Sequence, residues 1–198
     1  MDKMTRRSLL DLLARGGLAC GGCCAFSRFA LLDALAADAD DANPFQVSTV
    51  DFHGRRVSRL GFGMMRLPKN EDGTIDEKWA IETLRNAIDN GLTYVDTAYV
   101  YPDSERVTGL CLQDGYRDKV VLATKLPVSM MKCEEDFDRI LNEELERLQT
   151  DHIDLYLMHA LSDDRWECVE KFKVIEKMEK AKRDGKIRHI GFSFHDNL

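Results

Sequence analysis

Short apolar runs recur along the chain at nearly even intervals, and each stops at a small or polar residue: SRLGFG at Gly63, TYVD at Asp96, VVLAT before Lys125, IDLYLM before His159 and HIGF before Ser193. The stops are spaced by 33, 29, 34 and 34 residues. Buried parallel strands read as short continuous apolar runs, and a crossover helix must follow each one to reach the next. Helical patterns do lie between them. Thr74 and Glu77 have capping-box spacing ahead of a face made by Ala80, Ile81, Leu84, Ala87 and Ile88, which Asn90-Gly91 ends. Ser104 is placed to cap a helix carrying Val107, Leu110 and Cys111. A third helix from Glu134 aligns Phe137, Ile140, Leu141, Leu145 and Leu148, and a fourth is expected from near Asp164 through Val169, Phe172, Ile175 and Met178 to Asp184-Gly185. Ahead of the first run, Phe45 to Val57 alternates around Gly54 and predicts a hairpin of VSTVDF and RRVSRL.

The fold class predicted is α/β: the first five βα units of a (β/α)8 TIM barrel, preceded by an N-terminal β-hairpin. A closed barrel takes about 250 residues and eight strands. Residues 43–198 therefore read as the N-terminal part of an incomplete barrel, and that piece alone is expected to be inactive. The whole chain has 198 residues, 44% hydrophobic and 32% charged, with a net charge of −7. No basic run marks a nucleic-acid surface, and the acidic balance argues against a polyanion partner.

Residues 1–42 differ in kind. Thr5-Arg6-Arg7-Ser8-Leu9-Leu10 has the order of a twin-arginine export signal, and Ala34/Ala36 or Ala37/Ala39 offer cleavage sites ahead of a linker at DDANP. The expectation is export by the twin-arginine machinery to the periplasm or the membrane surface. The alternative is a cytoplasmic protein with an amphipathic N-terminal helix. Gly16 to Phe26 is too short and too weakly apolar to span a membrane. Cys20, Cys23 and Cys24 lie in this leader, whereas Cys111, Cys133 and Cys168 are scattered through the body and are read as free thiols. No metal-ligand set is complete.

In a barrel the strand C-termini share one rim, so Asp96, Tyr101, Lys125 and His159 should converge. A phenol is a poor acid near neutrality, an ammonium beside it favours the phenolate, and a carboxylate beside the ammonium keeps it charged. An imidazole adds a group that can orient a carbonyl. Such a set suits proton donation to a carbonyl oxygen while hydride, which no side chain can supply, reaches the carbon.

The ordered motifs LGFGMMRLP, DTAYVYPDSE, LATKLP, HIDLYLMHAL and GKIRHIGFSFHD, from Val47 to Asp196, resemble the aldo-keto reductase family. The resemblance implies NADP(H) or NAD(H) as cofactor and a small-molecule carbonyl as substrate. It makes Tyr101 the general acid, assisted by Lys125, Asp96 and His159, with Gly63, Met64, Met65, Asp96 and Ser193 flanking the cofactor. Many members follow that serine with asparagine; here Phe194 and His195 stand after Ser193. The wording GFSFHD is similar to a subgroup fused to a C-terminal iron–sulfur domain, which would bring a 4Fe–4S cluster and a redox partner. A non-catalytic barrel module is the alternative function.

Overall fold

The computed structural model describes residues 47–196; the leader, with its Arg6-Arg7 pair and three cysteines, lies outside the described residues. Strands β1 (Thr49–Phe52) and β2 (Arg55–Ser58) pair antiparallel. Their two-residue turn, His53-Gly54, has φ of 50° and 81°, the left-handed pair whose twist fits a tight hairpin.

Five further strands form one parallel sheet in chain order: β3 (Phe62–Gly63), β4 (Tyr94–Asp96), β5 (Val121–Leu126), β6 (Ile153–Leu161) and β7 (Ile187–Phe194). The crossovers contain α1 (Glu77–Asp89), α2 (Ser104–Cys111), α3 (Glu135–Leu148) and the pair α4 (Asp163–Lys171) and α5 (Val174–Arg183). The strands end where the spacing predicts or a residue or two later. Pleating sends alternate side chains to opposite faces. Val95, Leu122, Leu126, Tyr156 and Met158 are buried in the core shared with the helices, whereas Leu155, Leu157 and His159 on the other face of β6 are half-buried. Five strands do not close a barrel. Among the described residues β3 and β7 are edges, and Phe192 and Phe194 on β7 are exposed.

Three local expectations are corrected. The Thr74–Glu77 capping box does not form: Thr74 is held in the preceding turn by Asp72 and Asn70, and Asp76 caps α1 by accepting the Trp79 N–H at 3.0 Å. Ser104 is the first residue of α2 rather than its cap, and its hydroxyl donates to the Met64 carbonyl at 2.7 Å. The fourth helix is two helices, broken at Lys173 with φ of 49°. A strict three-residue step drifts around a helix of 3.6 residues per turn. The break resets the face, so that Val174, Met178 and Ala181 are buried while Ile175 is 40% exposed.

Candidate active site

The parallel register places the ends of β4, β5 and β6 together, and Asp96, Lys125 and His159 lie on the same face of the sheet. Lys125 is only 6% exposed. A buried ammonium requires a charged partner and further hydrogen bonds, and both are present: its Nζ donates to Asp96 Oδ1 at 2.5 Å and to the Thr97 carbonyl at 2.7 Å. Thr97 is in turn fixed, its N–H donating to the Ala123 carbonyl at 2.9 Å and its hydroxyl meeting Ser104 Oγ at 2.8 Å.

Tyr101 is delivered by a turn, not a strand. Its N–H donates to the Ala98 carbonyl at 3.0 Å and its own carbonyl accepts from Ser104 at 3.1 Å, so the backbone folds back immediately before α2. The Lys125 ammonium sits 5.1 Å from the centre of the Tyr101 ring, and the His159 ring meets that of Tyr101 edge-on at 5.8 Å. All four expected residues are therefore brought together. Burial, followed by the charges of Lys125, His195 and Arg165, holds His159 below its ordinary 6.5. The imidazole is consequently neutral around pH 7, able to donate from one nitrogen and accept at the other.

His159 is aimed by a bulge. The β6–β7 register shifts between Met158 and Leu161, and Ala160 has φ of 53°, a left-handed conformation that is strained for alanine. Two contacts hold it: the Ala160 N–H donates to Ser193 Oγ at 2.7 Å, and its carbonyl accepts from Arg165. Tyr101, His159, Arg165 and His195 line a cleft of about 560 Å³ whose other walls are Met65, Val100, Pro102, Pro127, Ser129 and Ala160.

The expected cofactor flank divides. Gly63 leaves open space where a Cβ would project, and Met65 is 57% exposed on the cleft. Met64, by contrast, is fully buried in the core and presents only backbone, its N–H donating to the Asp96 carbonyl at 2.8 Å. Ser193 uses its oxygen to accept from Ala160, which leaves its proton available to a ligand. These features fit an amide-bearing planar ring lying against the rim.

Two features were not anticipated from the sequence. Arg165 is one. The other lies on the opposite face of β5, next to Lys125: the Thr124 hydroxyl donates to Glu105 Oε1 at 2.6 Å and is 3.4 Å from Glu144 Oε1, while the Tyr156 hydroxyl donates to Glu144 Oε2 at 2.5 Å. Glu105 and Glu144 are both buried, and Arg147 reaches Glu105 Oε2 at 3.3 Å. Thr124 has one proton and cannot serve both acids fully. Burial, then the charge of Glu105, pushes Glu144 well above the usual carboxylate range, so Glu144 retains its proton. A readable signal existed, since Glu144 falls on the apolar stripe of Phe137, Ile140, Leu141 and Leu148.

Comparison with known proteins agrees with this fold. The sequence model of the Aldo/keto reductase family matches residues 59–197. The aldo-keto reductase YhdN of Bacillus subtilis (strain 168) is 38% identical over 150 residues, covering 71% of this chain and 44% of that protein. The glyoxal reductase of the same organism is 32% identical over 151 residues, covering 73% and 49% respectively. The chain thus spans less than half the length of these curated relatives. A crystal structure of an aldo-keto reductase from Klebsiella pneumoniae in complex with NADPH superposes with a TM-score of 0.63 and 33% identity, over 76% of this chain and 51% of that one.

Proposed function

Because the chain belongs to the aldo/keto reductase family, we propose that it carries the proton-transfer half of a carbonyl reductase site that uses NADP(H) or NAD(H). The observation that carries this reading is the single ammonium of Lys125, bonded to Asp96 and lying 5.1 Å from the ring centre of Tyr101, which lines a cleft together with His159. NADPH bound to the Klebsiella structure supports the cofactor class.

When bound, a nicotinamide cofactor supplies the hydride. Gly63 and Met65 would form one wall for it, with the Ser193 hydroxyl donating to its amide. Tyr101 gives its proton to the carbonyl oxygen of the substrate. Lys125, itself only 6% exposed, stabilises the phenolate that remains. Asp96 and the Thr97 carbonyl hold the ammonium beside the Tyr101 ring. His159, being neutral, donates a hydrogen bond to the same oxygen and orients the carbonyl.

The test is Tyr101→Phe, made in the protein at its full genomic length. The ring and its packing on His159 survive while the acid is lost, so turnover should fall by roughly 10²- to 10⁴-fold. Nicotinamide binding should persist. Turnover at the wild-type rate in the phenylalanine variant refutes Tyr101 as the acid.

A further inference from the structure

Arg165 is placed against local electrostatics. It is the third residue of α4, where the helix N-terminus is positive and favours acidic side chains; Asp163 and Asp164, in the same turn, follow that rule and Arg165 does not. A local rule broken with no ion pair to offset it marks a position whose charge serves something besides the Ala160 bulge it helps to hold. Among the described residues Arg165 makes no ion pair. One of its guanidinium nitrogens donates to the Ala160 carbonyl, and the guanidinium has five N–H donors in all.

That bond ties the guanidinium to the backbone beside His159. Ala160 is the left-handed residue directly after His159, so the backbone that presents the imidazole also anchors the guanidinium, and both side chains line the cleft with Tyr101. The charge of Lys125 is already paired with Asp96. Among the described residues that line the cleft there is no carboxylate. A half-buried, unneutralised guanidinium beside the reacting position is a receptor for a planar or tetrahedral anion.

We propose that Arg165 selects carbonyl substrates that bear an anionic group, a carboxylate or phosphate, which it holds while the carbonyl lies at Tyr101 and His159. This rests on the reductase reading above. The anion belongs to the substrate, not to the phosphates of the cofactor.

The test compares 4-carboxybenzaldehyde with its neutral counterpart, methyl 4-formylbenzoate, in the protein at its full genomic length. Wild type should show kcat/KM at least about 10-fold higher for the acid, and Arg165→Gln should lower the acid-to-ester ratio by roughly 10- to 100-fold, the range for loss of a charge-assisted hydrogen bond. Arg165→Lys keeps the charge and should retain much of the preference. A wild-type ratio near one overturns the proposal without recourse to any variant. So does a glutamine variant in which KM for NADPH rises while the ratio stays put, because the arginine would then hold the cofactor. Saturation-transfer NMR with 4-(hydroxymethyl)benzoate against benzyl alcohol separates this proposal from the reductase reading. Preferential binding of the carboxylate that Arg165→Gln abolishes, in a protein that reduces neither aldehyde, supports the anion site and refutes the reductase; equal binding of the two probes refutes the anion site.

Discussion

Replacing Tyr156 by phenylalanine removes one hydroxyl from the fully buried acid pair behind β5. Glu144 Oε2 accepts from that hydroxyl at 2.5 Å, no other donor to that oxygen is found among the described residues, and Glu144 has no solvent exposure. A buried acceptor left unsatisfied costs about 1–3 kcal/mol. At roughly 2–4 °C per kcal/mol for a chain of this size, the midpoint of about 2 kcal/mol lowers the melting temperature by roughly 6 °C. Thermal melts and urea titrations at pH 7 measure this. Glu144→Gln is the companion variant: it copies the protonated acid in shape but has no proton to lose. Glu144 is raised in the folded state, so its contribution is fully present below its unfolded value near 4.5 and is lost as pH rises through its folded value. Wild type should therefore lose stability relative to Glu144→Gln as pH increases from 5 to 9. If Tyr156→Phe melts with wild type, the Tyr156–Glu144 bond does not support the fold; if the difference between wild type and Glu144→Gln is independent of pH, Glu144 does not keep its proton.

Gly109 should not tolerate alanine, because a Cβ would come within 2.6 Å of the Arg147 carbonyl oxygen and 2.9 Å of the Leu148 carbonyl carbon, both backbone; Gly109→Ala should destabilise by about 1–3 kcal/mol in urea unfolding. His159, held below 6.5 mainly by burial, should titrate below that value by NMR, and the stability it contributes is present above its unfolded pKa and lost as pH falls through the folded one. A His159 titration above 6.5 contradicts the buried, cation-flanked placement. We further propose that Arg6 and Arg7 are read by the twin-arginine machinery: a reporter fused after Ala42 should leave the cytoplasm, and changing both arginines to lysine should retain it there, so unchanged export excludes that route.

Much of the arrangement was legible in one dimension. Apolar runs that end about 33 residues apart dictate parallel strands with helical crossovers, because a buried strand needs both faces covered and a parallel partner needs a return path. That periodicity alone puts Asp96, Lys125 and His159 on one rim, and the structure places them there. What the sequence could not decide are matters of small local geometry. Whether Asp76 or Thr74 caps α1 depends on which side chain a preceding turn has already engaged. Whether one helix or two follows β6 depends on which of Val174 and Ile175 the sheet can bury. The bulge at Ala160 depends on Ser193 and Arg165 reaching it from elsewhere in the fold. Met64 reads in sequence like its neighbour Met65, yet one is in the core and the other on the cleft. The charge on Glu144 was invisible for a related reason: an acid on an apolar stripe keeps its proton only when another acid and a single shared hydroxyl are packed against it, and Glu105 and Thr124 meet Glu144 only once α2, α3 and β5 have come together.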